Sequence, residues 1–293
     1  MIPITVEERF ELLALVFRLA GKNKDYNRRR TRYQRLLSRR FRRHKTHPAV
    51  AMAGGFTQEG GQAFFYAMHL AKAGEGFRLL PIPAHHEARI ESIMPGQTWL
   101  WNRSAAAEFL PLLNDFYHDT NFGAFFRAQT AYYEKAAGRF ARRYLRRMDP
   151  EWFRRYLDPA QLRCVLLPSL PYLNLSMTVD GVVYAGVCEG YTQGGGVIVH
   201  EFCHHFANPI AEQWYARDPA FRALCDEPIT PKTQADQYTP GLGMAFEYLT
   251  RAFTVLYDVQ HGGDLRALLR KEVKRGFPHI KTVYEMIPQK GPS

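Results

Sequence analysis

The sequence predicts an α+β fold that is mostly helical, with a small mixed or antiparallel sheet beside one central helix. Apolar residues recur at helical spacing through the first half of the 293-residue chain. Short β-rich runs follow from about residue 160, and helical spacing then returns to the end of the chain. We expect a single unit over residues 1–293. A possible subdivision separates a helical part, 1–160, from a part with the sheet and the later helices, 161–293.

Helices in the first half are predicted from start and stop signals as well as from spacing. Thr5 and Glu8 match a capping box, and Gly21 follows the apolar run as a stop signal. Asp149 before Pro150 predicts the start of a short helix. The other helices are expected over about Asp25–Arg43, Thr57–Ala73, Ser104–His118 and Asn121–Arg147.

The sheet is predicted from three β-rich runs, Leu162–Leu167, Leu173–Val179 and Val182–Val187. Asp180-Gly181 separates the last two runs and is the strongest short-range signal for a β-hairpin. Glycines 194–196 then predict a strand-to-helix connection, because they lack the Gly-Lys-Ser/Thr ending of a phosphate-binding loop. Later helices are expected over about Ala211–Leu224, Gly241–Gln260 and Asp264–Arg275.

The stretch His200-Glu201-Phe202-Cys203-His204 carries the clearest chemistry. Residues four apart share one face of a helix, so His200 and His204 can bind the same metal ion. Glu201 would project beside that ion and act as general base toward a water molecule there. Three nitrogen or oxygen ligands with one position left for water are typical of catalytic zinc. The alternative is a pair of hydrogen-bonded core histidines. Asn208-Pro209 is expected to end this helix.

A third zinc ligand must come from elsewhere in the chain. Glu247 is the preferred candidate, because its stretch is strongly helical and an apolar side would hold the carboxylate rigidly. The alternative for Glu247 is an ordinary surface pair with Arg251 at i,i+4 spacing. Glu227 is the competing ligand, although Asp226-Glu227-Pro228 is typical of a loop. The choice between the two glutamates stays open at this point.

A hydrolase of this kind also needs a donor for the developing oxyanion. Tyr238 and Arg251 are the preferred candidates, because they lie nearest the proposed ligand in sequence. Tyr191, Tyr257 and His118 are chemically able as well. We therefore predict Glu201, Tyr238 and Arg251 as catalytic residues, with Arg251 either orienting the Glu247 carboxylate or meeting the substrate.

The block from His200 to Pro209 resembles the gluzincin branch of the HExxH zinc peptidases. It is similar, more narrowly, to a bacterial family catalogued as domain of unknown function number 4932, which pairs an HEFxHxFxNP block with a downstream glutamate helix. Arg9–Leu13 and Asp115–Phe122 also look like segments of that family. The resemblance thus touches most of the chain, but only the zinc motif is specific.

This resemblance implies a zincin-like fold with one zinc ion bound by His200, His204 and Glu247, and with Glu201 as catalytic base. In zincins the strand before the motif helix pairs with an extended substrate, which implies that role for Val182–Val187. The sequence departs from the thermolysin-like pattern in one respect. Its 42 residues between His204 and Glu247 are a longer interval than those enzymes have.

The expected function is zinc-dependent hydrolysis of peptide bonds in a peptide or protein substrate. One alternative is a catalytically inactive binding protein with a zincin fold, although such proteins usually lose the residue that corresponds to Glu201 first. The other is a nucleic-acid-binding protein that uses the basic Arg28–Lys45 helix and holds a structural zinc ion. A structural site would normally have four protein ligands.

The net charge of +11 is concentrated in two basic runs, around residues 28–45 and 139–155. Apolar residues interleave both runs at helical spacing, so we interpret them as solvated faces of amphipathic helices and expect no specific nucleic-acid partner. The oligomeric state is left open.

Other features of the composition bear on location and redox state. No run approaches the roughly 18 apolar residues of a membrane span. The N-terminus lacks a signal-peptide pattern, so the sequence as given is expected to be cytoplasmic, or secreted if a signal had been removed. The four cysteines form no CxxC pair and are expected to be buried thiols.

Overall fold

The computed structural model describes residues 1–21, 31–56, 66–82, 103–170, 174–188, 196–235 and 239–288. The chain groups into two units. The first comprises Met1–Arg147 and Arg163–Thr192, and the second comprises Met148–Leu162 and Gln193–Ser293. This grouping differs from a subdivision at residue 160, because residues 163–192 pack with the first unit.

The first unit combines helices with a four-stranded mixed sheet and a separate antiparallel pair. In the sheet, order β1-β4-β6-β5, strand β1 is parallel to β4 and β5 is antiparallel to β6. The predicted α+β class, mostly helical with a small mixed sheet, is confirmed. The elements are β1 (Ile4–Thr5), α1 (Glu8–Ala20), α2 (Arg32–Arg40), α3 (Pro48–Ala53), β2 (Leu70–Ala73), β3 (Gly76–Leu79), α4 (Arg103–Asp119), α5 (Phe122–Ala128), α6 (Thr130–Phe140), β4 (Leu162–Leu167), β5 (Asn174–Val179) and β6 (Val182–Cys188).

The predicted hairpin between β5 and β6 is confirmed. Val179 pairs with Val182, so Asp180 and Gly181 form a two-residue loop. Both loop residues have positive φ, 49° and 74°. This is the type I′ turn that Asp-Gly favours, because glycine has no Cβ and aspartate tolerates the left-handed region.

Helix α1 ends as predicted but begins differently. Gly21 closes it with φ of 71°, and its N–H donates to the Phe17 carbonyl. The predicted capping box is wrong, since Thr5 belongs to β1 and Glu7 is the N-cap without a side-chain hydrogen bond. A true capping box opens α2 instead, where Thr31 and Gln34 bond reciprocally.

Two predicted helices of the first unit need correction. The expected helix Thr57–Ala73 is not formed at its end, where Leu70–Ala73 is a strand paired with Gly76–Leu79. Gly74 has φ of 55° and reverses the chain direction between the two strands. Residues 57–65 lie outside the described part. The expected helix 121–147 is broken at Gln129 into α5 and α6, and a π-helical turn (Ala141–Leu145) follows. Of the expected basic helix, Arg32–Arg40 is helical, and residues 25–30 are outside the described part.

Helices are the main elements of the second unit in its described residues. Its two long helices, α8 and α11, pack against each other more extensively than any other pair of elements in the unit. Asp149 caps α7 as predicted, by accepting a hydrogen bond from the Glu151 N–H. The elements are α7 (Pro150–Phe153), α8 (Gly196–Arg217), α9 (Pro219–Asp226), α10 (Pro231–Ala235), α11 (Leu242–Gln260), α12 (Leu265–Lys274) and α13 (Ile280–Met286).

The motif helix does not stop at Asn208-Pro209, so that prediction is wrong. Helix α8 contains Pro209 in its interior and runs on to Arg217. Proline removes one backbone donor, to the carbonyl of His205. That cost is offset because the helix continues to bury its packed face on both sides of the proline, with Ala207 and Ala211 fully buried. The break comes at Asp218-Pro219, where Asp218 caps α9.

The structure also bears on the cysteines and on membrane-spanning helices. All four cysteines are buried, and no disulfide joins them. Among the helices in the described part of the chain, none combines the length and the apolar character that crossing a membrane requires.

Candidate metal centre

Helix α8 places the two motif histidines side by side. The His200 and His204 rings lie 4.6 Å apart between centroids, with their Nε2 atoms 3.1 Å apart. Both side chains are largely buried, at 15% and 14% exposure. Spacing of four residues on a helix accounts for this arrangement without any tertiary contact.

Helix α11 brings Glu247 to the same point. Its Oε2 lies 3.7 Å from His200 Nε2, and its Oε1 lies 3.5 Å from His204 Nε2. These distances fall within the separation of about 5 Å that a shared metal requires. The apolar side of α11 is buried as expected through Leu249 and Phe253, which fixes the helix beneath the carboxylate.

The donor set of His200, His204 and Glu247 fits a divalent cation. One atom from each residue lies within 4.8 Å of the other two. Ligands at zinc–ligand bonds of about 2.0–2.1 Å in tetrahedral geometry are separated by about 3.3 Å. The observed separations of 3.1, 3.5 and 3.7 Å bracket that value. The two histidine–glutamate distances exceed the usual length of a hydrogen bond.

His204 is held by its second ring nitrogen. Its Nδ1 lies 3.1 Å from Asn208 Oδ1 and 3.0 Å from Thr250 Oγ1. A proton on Nδ1 donated to Asn208 leaves the lone pair of Nε2 directed toward Glu247 and His200. Asn208 thus orients His204, one helical turn before it. The sequence predicts Asn208 at the end of the helix, but it lies in the helix interior.

The surroundings favour the neutral form of His200. Burial lowers the pKa of its imidazole well below the ordinary value, and the neighbouring His204, Arg251 and Arg275 lower it further. Neutral imidazole is the form that binds metal ions. Glu201, the next residue on α8, is buried as well, with 7% exposure.

Arg251 lies against Glu247 rather than apart from it. One guanidinium nitrogen is 3.0 Å from Glu247 Oε2, and another is 2.8 Å from Glu272 Oε2. Glu272 in turn contacts Arg275 at 2.7 Å. The i,i+4 pair of Glu247 and Arg251 therefore forms, but as a buried pair beside the histidines and not on the surface. No local sequence pattern links Glu272 to this pair, because that contact joins two helices.

The other sequence candidates in the described residues of the second unit are not brought to this cluster. Glu227, the competing ligand, has a side chain that is 53% exposed and pairs with His279 at 2.7 Å. The Tyr257 hydroxyl accepts a hydrogen bond from the Asp149 N–H. His118 belongs to the first unit. Tyr238 and Tyr191 lie outside the described residues.

The basic run of the first unit has a cavity of its own. Arg39, Arg40 and Arg43 are exposed, as expected for a solvated helical face. The cavity lies at the end of α2, and it contains none of the residues of the metal cluster. It is lined by Leu36, Arg39, Arg40, Phe41, Arg43, His44 and Thr120.

Comparison of the chain with protein-family models, with curated proteins and with solved structures found no match. The resemblance to zinc peptidases therefore depends on the residues of the motif. The zincin-like fold stays a prediction.

Proposed function

We propose that this chain is a metal-dependent hydrolase, with zinc as the metal and a peptide or protein as the substrate. The convergence of His200, His204 and Glu247 carries the proposal, because two helices place three ligand atoms at the spacing of a tetrahedral site. Three protein ligands with one position left for water would make the metal catalytic, whereas a structural zinc normally has four protein ligands.

The roles of the residues follow from their positions. His200 and His204 would hold the ion through Nε2, and Glu247 through its carboxylate. When bound, zinc would lower the pKa of a water molecule at the site to about 7 and polarise the substrate carbonyl. Glu201 would accept one proton from the attacking water as its oxygen bonds to the carbonyl carbon. It would then donate that proton to the amine nitrogen as the C–N bond breaks.

Arg251 is assigned a positioning role by its contacts. Its guanidinium lies 3.0 Å from Glu247 Oε2, where it orients the carboxylate. Glu272 occupies another of its nitrogens at 2.8 Å. Of the two oxyanion donors preferred from the sequence, Arg251 is thus engaged with carboxylates, and Tyr238 stays a candidate.

The proposal is tested by metal analysis and by a Glu201→Gln variant. Purified protein is expected to hold one zinc ion per chain and to cleave members of a broad peptide library. Glu201→Gln should keep the metal and lose about 10²–10⁴-fold in hydrolysis, because an amide cannot accept the proton. Glu212→Gln, on an exposed position of the same helix, is the matched control and should stay close to wild type.

Each possible result bears on a different part of the proposal. Protein that holds no stoichiometric metal would contradict the metal site. Unchanged turnover in Glu201→Gln would remove Glu201 as the base. Protein that holds zinc and cleaves nothing would favour the alternative of an inactive binding protein.

A further inference from the structure

We propose that Glu272 is a positioning residue that balances the positive charge of Arg251, so that this arginine can orient Glu247 beside a divalent cation. The inference rests on the proposed metal site and adds a residue that lies outside the motif and its ligands. Glu272 belongs to α12 and is not one of the three candidate ligands.

The contacts form one continuous chain of alternating charges. Glu247 Oε2 meets Arg251 at 3.0 Å, Arg251 meets Glu272 at 2.8 Å, and Glu272 meets Arg275 at 2.7 Å. The first three side chains are 9–13% exposed, whereas Arg275 is 30% exposed. Glu272 is therefore the buried carboxylate that faces the inner arginine, and Arg275 closes the chain toward solvent.

Electrostatics explains why Arg251 needs this partner. Its guanidinium lies 3.0 Å from an oxygen of the proposed ligand Glu247, so its charge would oppose a cation held by that carboxylate. Such repulsion is weakly screened at a site with so little solvent. The carboxylate of Glu272 at 2.8 Å offsets it, and leaves Arg251 as an ion-pair partner of Glu247 with little net charge toward the metal.

The segment after α12 also contacts Arg251. Gly276 has φ of 102°, and a Cβ there would lie 2.5 Å from Thr230 Oγ1, so this position requires glycine. Phe277 follows this turn. The centroid of its ring lies 4.0 Å from the central carbon of the Arg251 guanidinium, and the ring packs on Tyr248. Glu272 thus orients Arg251 by an ion pair, and Phe277 orients it by stacking its ring on the face of the guanidinium.

The test measures metal affinity, with Zn²⁺ competed against a chromophoric chelator. Glu272→Gln is nearly isosteric and is expected to weaken Zn²⁺ binding by about 10–100-fold. Glu285→Gln removes the same charge from an exposed position of α13 and should change the affinity less than about twofold. In an Arg251→Gln background, Glu272→Gln should have almost no further effect, because there is no charge left to balance.

A second variant guards against a folding defect. Arg275 lies at the solvent end of this series of ion pairs. Arg275→Gln should leave Zn²⁺ affinity unchanged or raise it, because Glu272 then pairs with Arg251 alone. Circular dichroism of the metal-free proteins shows whether each variant is folded.

The outcomes separate this inference from the proposed function. Wild-type affinity in Glu272→Gln, or an equal loss with and without Arg251, would overturn the role of Glu272 and leave the metal site standing. A weakening by Arg275→Gln as large as that by Glu272→Gln would overturn it too. Wild-type protein that binds no Zn²⁺ would overturn the proposed function itself, and this inference with it.

Discussion

Glu11 in the first unit and Glu247 in the second are carboxylates with little exposure, and they are partnered in different ways. Glu11 in the first unit is fully buried, and its oxygens accept hydrogen bonds of 2.7 Å from the hydroxyls of Ser169 and Tyr33. Glu247 in the second unit faces two imidazole nitrogens at 3.5 and 3.7 Å. Hydrogen bonds satisfy the first carboxylate, whereas the second lies at distances from the two imidazoles that suit a shared ion, with Arg251 at 3.0 Å from its Oε2.

This difference shows that burial of an acid does not by itself indicate a metal site. Around Glu11, Tyr33 also bonds Tyr133 at 2.6 Å, so donors and acceptors satisfy one another within the unit. Around Glu247, two imidazole nitrogens lie at 3.5 and 3.7 Å, beyond the usual length of a hydrogen bond and close to the ligand separation in a zinc tetrahedron, and Arg251 lies at 3.0 Å. The distances between neighbours, more than the degree of burial, distinguish a structural network from a candidate site.

The largest effect is expected from the histidines. His200→Ala and His204→Ala should each abolish stoichiometric zinc binding, because two remaining ligands hold zinc poorly. The loss of affinity should exceed the ~100-fold that follows removal of a residue supporting a ligand. Atomic absorption on dialysed protein measures it. Full zinc occupancy in either variant would mean that the cluster is a pair of core histidines.

Replacing Glu247 and Glu11 tests the comparison directly. Glu247→Ala should weaken zinc binding by more than about 100-fold, since it removes a ligand. Glu11→Gln should leave zinc affinity unchanged, and so should Glu227→Ala, whose side chain pairs with His279. Competition with a chelator gives all three affinities. A strong effect of Glu227→Ala combined with a weak one of Glu247→Ala would reverse the assignment of the third ligand.

Ionisation of the Glu11 carboxyl should make the free energy of unfolding depend on pH. Burial raises the pKa of this carboxyl to about 7, although Tyr33, Ser169 and Arg18 act in the opposite direction. Because the folded-state pKa lies above the unfolded value, the stabilising contribution is full below about pH 4.5 and is lost as the pH rises through 7. The loss amounts to about 3 kcal/mol.

Glu11→Gln should remove this dependence. Urea unfolding at pH 5 and pH 8 would compare the variant with wild type, with other titrating groups common to both. The free energy of unfolding of wild type should fall more between the two pH values, by roughly 2–3 kcal/mol. An equal fall in both proteins would show that the carboxyl ionises in the folded state without cost.

The smallest effect is expected from the basic runs. If Arg39, Arg40 and Arg43 belong to a solvated face, nucleic acid should bind only weakly at physiological salt, with a Kd of about 10⁻⁴–10⁻⁶ M and no sequence preference. Replacing these three by Gln should weaken binding about as much as replacing Arg142, Arg146 and Arg147, which are also exposed. Fluorescence anisotropy with duplex and single-stranded DNA measures both. Nanomolar, sequence-selective binding would favour the nucleic-acid alternative.

The sequence by itself determined what depends on neighbours along the chain. His200 and His204 share a helix face because four residues make about one turn. Asp180-Gly181 makes a hairpin because its two positions adopt positive φ. Gly21 and Asp149 end and start helices through local hydrogen bonds. Each of these features needs no information from the rest of the fold.

Only the tertiary structure decided what depends on packing between distant segments. Helix α8 passes through Pro209 because burial on both sides of it outweighs one lost hydrogen bond. Local pattern left Glu227 and Glu247 as alternatives, and the packing of α11 on α8 brought Glu247 to the histidines. Glu272 reaches Arg251 from another helix altogether. The physical reason is common to all three: a contact between distant segments depends on how helices pack, which no short stretch of sequence encodes.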